Sequence, residues 1–535
     1  EITRRDWSSD VCSSDLGEKE EFHMELKINR EMIPVTETIL DDVQEQSVEL
    51  DYVLPDYDPD IFRIIGCEMH PTIVSYTTAS DRITYELRVD IRILYCGAGS
   101  TLLQCVSQQM MFSRSAELPR TAENPTLTLR PRITYSNCRA VSPRRLEARG
   151  AVSVQIRVTG DRRQEVIRDV FGMHVQLRKI PVEYAAQKRS AVKNITLSEE
   201  VELGAAKPPI RSIVRNNVRL VHQETSILAG KLIVKGDAEV QLLYTWQKDD
   251  GSGGMESMQF TLPYSQIVDM EQIDESYRSS VEAQVIRCDL KPSAEVLQCE
   301  IELRLCCTAI QTASVQLVTD AFSTCYPCQQ TPVSVQIDMA PERVYSSMAC
   351  SAVIRPGDRI PECIYDLQCQ VRNINMQLLS DTNRIRVSGM LCCSLLAADA
   401  EGMPVLLEKE EAFEAYADPG TSVADAVLRA QVEPADCTYH LASDGTISVQ
   451  ANLLLHGALC PSARHVCLSD LEVDGENKLV RDGDYALKLY YGVEHEDVWD
   501  IAKRCHTSVD AIMEENELAE EQLANAGMLF IPIVH

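Results

Sequence analysis

The stretch "YELRVDIRILY" (Tyr85–Tyr95) alternates without a fault. Tyr85, Leu87, Val89, Ile91, Ile93 and Tyr95 fall on one side; Glu86, Arg88, Asp90 and Arg92 fall on the other. A period of two places alternate side chains on opposite faces of an extended chain, which predicts a strand with one packed face and one wet face. "AVSVQIRV" (Ala151–Val158) and "CEIELRL" (Cys299–Leu305) repeat the pattern. Such strands belong to antiparallel sheets, because parallel strands covered on both faces are apolar throughout.

These strands recur inside a longer unit. "SVELDYVLPDYDPDIFRIIG" (Ser47–Gly66) leads to "RILY" ending at Tyr95, and "EVELGAAKPPIRSIV" (Glu200–Val214) leads to "QLLY" ending at Tyr244. "CSAVIRPGDRIPECI" (Cys350–Ile364) leads to "CSLL" ending at Leu396. The prolines Pro55, Pro209 and Pro356 precede those ends by 40, 35 and 40 positions. A polar connection then reaches Met111 and Phe112, Phe260, or Phe413 and Tyr416. Each second half pairs two more strands, such as "RPRITYSNCRAV" with "RLEARGAVSVQIRV", and the Pro, Asn, Asp and Gly between them predict hairpins. Copies of roughly 130–150 residues are the size of one core. The expectation is mainly β: three tandem antiparallel β-rich domains at 24–187, 188–320 and 321–475, since 535 residues exceed a single core.

Charge narrows the partners. A net charge of −30 excludes nucleic acid as the main one, because phosphate is repelled. The charge is uneven. Residues 130–193 hold 15 Lys/Arg against 5 Asp/Glu, while residues 476–535 hold 5 against 13. Arg139, Arg144, Arg145, Arg149, Arg162 and Arg163 in the basic segment are a candidate patch for an acidic partner or an anionic surface. The 20 cysteines include adjacent pairs inside strand-like runs (Cys306-Cys307, Cys392-Cys393), where a free thiol acts as a small apolar group. With no secretory signal and no transmembrane segment in the pattern, a reducing cytosol is expected. "EITRRDWSSDVCSSDLG" (Glu1–Gly17) has no apolar periodicity and resembles translated sequencing adapter. Residues 1–23 are therefore expected to lie outside the fold, with Met24 as the natural start.

The end of the chain is different. In "HEDVWDIAKRCHTSVDAIMEENEL", Val498, Ile501 and Ala502 share one helical face, and Val509, Ile512 and Met513 share another. Asp497 and Ser508 are expected to cap the two helices. "YYGV" before them and "MLFIPIV" after them predict short strands. The result is a small C-terminal βααβ unit at 484–535.

The three copies resemble SPOCS repeats of spore-forming Firmicutes, on the proline near each start (Pro-Asp in the first copy), the "LY" strand end of the first two and the downstream Phe. The βααβ unit resembles a LysM domain, with Trp499, Ile501, Ala502, Val509, Ile512, Asn516, Leu518, Gly527 and Ile531-Pro532 at comparable places. That resemblance implies a shallow groove for N-acetylglucosamine polymers such as peptidoglycan, formed here by His495, Glu496, Asp497 and Val498 facing Met513, Asn516 and Leu518. His495-Glu496-Asp497 stands where the family has Gly-Asp-Thr. Its added bulk, and the acidic surroundings, turn the expectation toward a basic protein surface. SPOCS-like copies followed by a LysM-like unit resemble spore coat morphogenetic adaptors. This implies a mother-cell cytoplasmic protein at the forespore surface, later in the spore coat, whose partner is a scaffold ATPase like stage IV sporulation protein A.

No catalytic residue, metal or cofactor is expected. "CYPC" (Cys325–Cys328) has the spacing of a redox pair but lacks the strand–motif–helix context and the second ligand pair of a zinc site. It reads as a loop between the second and third copies. No His-Glu-x-x-His, Gly-x-Ser-x-Gly or P-loop is present. "GSGG" (Gly251–Gly254) reads as a hairpin tip.

Overall fold

In the computed structural model, Tyr85–Tyr95 lies in the middle strand of an antiparallel sheet, and its six alternate apolar side chains are all buried. The structure describes residues 25–532 apart from 80, 99–100, 122, 204–206, 249–252, 294–295, 358–359 and 481–485. The segment 1–23 and half of the Gly251–Gly254 tip thus lie outside the described residues.

The protein is mainly β, and its strands follow one order three times. The first set is β1 (Lys27–Val53), β2 (Ile61–Thr78), β3 (Arg82–Gly97), β4 (Leu103–Glu117), β5 (Glu123–Ser142) and β6 (Arg145–Phe171). The second is β7 (Val175–Glu202), β8 (Ser212–Leu228), β9 (Lys231–Gln247), β10 (Gly253–Asp269), β11 (Tyr277–Pro292) and β12 (Val296–Ser323). The third divides its opening strand into β13 (Cys328–Asp338) and β14 (Glu342–Ile354). It continues with β15 (Cys363–Leu379), β16 (Arg384–Ala398), β17 (Pro404–Ala417), β18 (Ala426–Leu441) and β19 (Ile447–Val473).

In every set the last strand pairs with the first and the fifth, giving β1-β6-β5, β7-β12-β11 and β13/β14-β19-β18. The middle strands form a meander: β2-β3-β4, β8-β9-β10 and β15-β16-β17. The two sheets of a set enclose one apolar cluster, such as Val48, Leu87, Val89, Ile91, Val154 and Ile156 in the first. The same arrangement holds Val240, Leu303 and Leu305 in the second, and Val387, Leu395, Leu453 and Leu455 in the third. Each such side chain contributes about 1.5–3 kcal/mol of transfer free energy, so alternation is the feature that holds each sandwich together.

The equivalence of the copies corrects one expected match. Leu94, Leu243 and Leu396 meet in one buried cluster between the sets. They therefore occupy the same position, and the third-copy counterpart of Tyr95 and Tyr244 is Ala397. The small residue displaced the "LY" match by one place.

The sets close on one another as a ring: β4 packs on β8, β10 on β15 and β17 on β2. The ends of the long strands also meet, with Val166, Leu317 and Cys467 sharing a cluster with Ile33, Val182 and Val335. Faces expected to be wet are consequently dry. Arg304 on β12 is 4% exposed and donates to the Ile73 and Val74 carbonyls on β2. Arg88 on β3 donates to the Ile286 carbonyl on β11 at 2.5 Å. These cations bind a neighbouring set's backbone instead of water.

At the meander end, Arg215 on β8 is buried between the other two sets. Its Nε donates to Glu68 Oε1 at 2.6 Å, Nη1 to Asp366 Oδ2 at 3.1 Å and Nη2 to Ser394 Oγ at 3.2 Å. At the opposite end, β6, β12 and β19 each bulge by one residue before an aspartate: Asp169, Asp320 and Asp470. Two of these take a cation from the next set's first strand, Lys179 on Asp169 at 2.8 Å and Arg30 on Asp470 at 2.7 Å. The position matching Arg30 and Lys179, set by pairing with Ile167, Val318 and Leu468, is Pro332 in the third set. Proline carries no charge, and Asp320 draws its cation from elsewhere.

Candidate interaction site

That cation comes from the C-terminal unit, β20 (Leu487–Gly492), α1 (Val498–Cys505), α2 (Val509–Glu515) and β21 (Gly527–Pro532). The helices are capped by the expected residues. Asp497 accepts from the Trp499 N–H at 2.9 Å, and Ser508 accepts from the Ala511 N–H at 3.0 Å. Val498, Ile501, Ala502, Val509 and Ile512 are buried against Leu529 and Ile531. β20 and β21 pair antiparallel.

The unit sits on the end of β12 through α1. Lys503 Nζ lies 2.7 Å from Asp320 Oδ1, and Trp499 Nε1 donates to Asp320 Oδ2 at 2.8 Å. The Trp499 ring meets Phe322 edge-on with centroids 5.0 Å apart, and Arg178 on β7 reaches Asp497 at 2.6 Å. Burial pushes the Asp320 carboxyl up, but hydrogen bonds from Lys503, Trp499 and Gln330 outweigh it and hold the group below the usual carboxylate range.

Most of the expected groove residues are engaged inside the protein. Asp497 caps α1 and pairs with Arg178, and Val498 is fully buried. Glu496 accepts from Tyr490 Oη at 2.6 Å, Arg504 Nη2 at 2.9 Å and the Val493 N–H at 3.1 Å. Against the opposing pull of partial burial, these bonds lower its carboxyl pKa. Asn516 donates to the Ile512 and Phe530 carbonyls and accepts from the Phe530 N–H at 2.7 Å, fastening α2 to β21. Met513 and Leu518 pack against the apolar cluster.

The two loops that would flank a sugar are bonded to each other. The His495 N–H donates to Leu523 O at 2.9 Å, Leu523 N–H to Glu496 O at 3.0 Å and Val498 N–H to Glu521 O at 2.7 Å. The backbone N–H groups of His495, Val498 and Leu523 are thus paired within the protein. His495 remains outward-facing, at φ +65°. This is the left-handed conformation that glycine adopts freely and other residues adopt at a cost. His495→Gly is expected to raise the unit's stability by about 1 kcal/mol, read from the urea midpoint of its unfolding.

The opposite face of the two-stranded sheet is open. Leu489, Tyr491, Val493 and Met528 are 56–64% exposed, flanked by Leu487 and Phe530 at 41% and 44%. Sequence periodicity did not single them out, because two six-residue strands place apolar groups on both faces. Contiguous exposed apolar surface of this kind marks contact with other molecules.

The expected arginine patch is divided. Arg144 in the preceding turn and Arg145 at the start of β6 stand together, whereas Arg162 and Arg163 lie on the order of 50 Å along the same strand at about 3.3 Å per residue. Local acids take up most of the charge. Arg139 binds Glu147 at 2.7 Å, and Arg144 binds Asp60 at 2.7 Å and the Pro55 carbonyl. Arg145 pairs with Asp51, and Arg163 with Glu123 at 3.5 Å. Arg149 lies 4.0 Å from Glu147, and Arg162 donates to Gln164 at 3.2 Å. The Cys325–Cys328 segment leads from β12 into the first residue of β13, and Ser323 Oγ accepts from the Cys325 N–H at 3.1 Å. Among the described residues, no group of three or more His, Cys, Asp or Glu side chains converges as metal ligands would. No described helix is long and apolar enough to cross a membrane.

Residues 209–293, from just before β8 to the end of β11, match the family model described as "SipL, SPOCS domain". No curated protein and no solved structure matches the chain.

Proposed function

We propose, from the premise that residues 209–293 are a SPOCS domain of the SipL kind, that the protein is a non-enzymatic sporulation adaptor. In this reading three SPOCS-like domains form the ring and a LysM-like unit is fastened to it. The adaptor joins a scaffold ATPase of the coat, resembling stage IV sporulation protein A, to the forespore surface and so localises coat layers. The observation that carries the reading is the pairing of that domain match with the open apolar face Leu489, Tyr491, Met528 and Phe530. That face suits a protein partner, and the acidic surface of residues 476–535 suits a basic one.

Contact through the sheet face is distinguishable from glycan binding through the loops. Full-length protein is expected to be retained on immobilised scaffold ATPase and to stay in solution when peptidoglycan is pelleted. Tyr491→Lys with Phe530→Lys is expected to weaken scaffold retention at least about tenfold, as loss of central apolar contacts does. Retention on peptidoglycan with none on the scaffold would reverse the assignment.

A further inference from the structure

Register orders the open face of the C-terminal unit. Leu489 stands opposite Phe530, Tyr491 opposite Met528 and Leu487 opposite Pro532, so their side chains share one side of the two-stranded sheet. Leu529 and Ile531 point to the other side, into the cluster shared with α1 and α2. One layer of the unit is therefore covered and the other is bare. At about 3.4 Å per residue the bare layer is about 20 Å long, and its two rows lie about 5 Å apart. That is the footprint of one α-helix of about 13 residues, roughly 10 Å across, lying along the strands. Strand addition has less to work with. On β21 the Phe530 N–H and carbonyl are both bonded to the Asn516 side chain, and the Pro532 carbonyl accepts from Thr507 Oγ1. Beside β20, Glu496 takes the Val493 N–H at 3.1 Å. A second copy of the chain fits no better. Exposed Glu494, Glu520 and Glu521 stand on the two loops that leave and re-enter the sheet at the Gly492–Gly527 end. Among the described residues, Glu520 and Glu521 take no cation. Two such faces would bring like charges together.

We propose, resting on the reading of this face as the contact for a protein partner, that it receives an amphipathic basic α-helix of that partner. Apolar side chains at i, i+3, i+4 and i+7 of the helix lie on Leu489, Tyr491, Met528 and Phe530. Lys or Arg on its flanks face Glu494, Glu520 and Glu521, where the local excess of acid is uncompensated. The complex is then a three-layer unit, with β20 and β21 between α1 and α2 on one side and the incoming helix on the other.

The test uses the full-length chain and a fluorescent helix-forming peptide of about 14 residues, with leucine at that spacing and lysine and alanine elsewhere. A scrambled peptide of the same composition keeps the charge and loses the apolar stripe. Another, with prolines at its centre, keeps the stripe and loses the helix. By fluorescence anisotropy, the first peptide is expected to bind at least about tenfold tighter than the other two, and more weakly as salt rises. Tyr491→Ser with Phe530→Ser, which changes no charge, is expected to weaken it about tenfold. Equal binding of the scrambled peptide would reduce the contact to charge and overturn the proposal. Equal binding of the proline peptide would make the occupant an extended chain, and would overturn it too. Both comparisons use the wild-type protein, so they decide the matter even if the double variant unfolds. No scaffold takes part in them. Their failure leaves scaffold retention through this face standing, and a failure of retention leaves the helix site standing.

Discussion

Arg215→Ala is expected to lower stability by about 3–5 kcal/mol, seen as a fall in the urea midpoint. The guanidinium is 2% exposed and joins Glu68 of the first set, Asp366 of the third and its own β8. Truncation would leave two carboxylates at the junction without their shared cation. The cost therefore comes chiefly from stranded charge. Replacing all three with apolar residues (Arg215→Met, Glu68→Met, Asp366→Leu) is expected to recover most of it, whereas a loss equal to the single variant's would show the ion pairs themselves to be strongly favourable.

The two carboxyls respond to pH in opposite senses. Burial pushes Asp366 up, and its contact with Arg215 only partly offsets that. Glu68 is also raised by burial, but bonds from His70 and Arg215 prevail and bring it from 4.5 to about 2. A depressed carboxyl contributes stability above its unfolded value, so the Glu68 share is present at neutral pH and is lost between pH 4.5 and about 2. Asp366 gives the reverse, contributing below its unfolded value and losing that contribution as pH rises. Glu68→Gln should therefore flatten the acid limb of the stability curve. A limb of unchanged slope would place the acid-sensitive group elsewhere.

Much of this architecture was legible because period-two alternation reports burial directly, as in Tyr85–Tyr95 and Ile301–Leu305. The caps Asp497 and Ser508 were legible too, since capping is local chemistry within three residues. The ring was not. Arg88, Arg215 and Arg304 occupy outward strand positions, and alternation cannot distinguish a side that meets water from one that meets another sheet's carbonyls. The motif around Asp169, Asp320 and Asp470 is visible in the sequence as two apolar residues, a spacer and an aspartate. It escaped because each spacer is a bulge, where the period of two breaks. The groove and arginine expectations shared another blind spot. Neither could show which side chains were already committed, and Asp497 is held by Arg178, more than three hundred residues earlier.

Phe322→Ala is expected to release the C-terminal unit from the ring. Truncating a buried aromatic side chain costs about 3–5 kcal/mol, and here the loss falls on the contact with Trp499. The unit is otherwise held by Lys503 and Trp499 on Asp320 and by Asp497 on Arg178. Those polar links are partly exposed, so each contributes modestly, and the aromatic contact carries most of the attachment. In a Trp7→Phe, Trp246→Phe background, release should appear as a red shift of Trp499 emission. Asp320 adds a pH signature of defined sign. Its carboxyl is held below the usual value of 3.8, so its contribution is intact above about pH 4 and disappears as pH falls further. The acid-induced shift of Trp499 should therefore be lost in Asp320→Asn. That residue keeps an acceptor for the indole but gives up the charge that Lys503 neutralises. Pro332 explains why the attachment is specific to this corner. The other two bulge aspartates already hold Lys179 and Arg30, leaving Asp320 as the one without a cation from the ring. An unchanged Trp499 emission in both Phe322→Ala and Asp320→Asn would mean that the unit is secured by a contact away from β12.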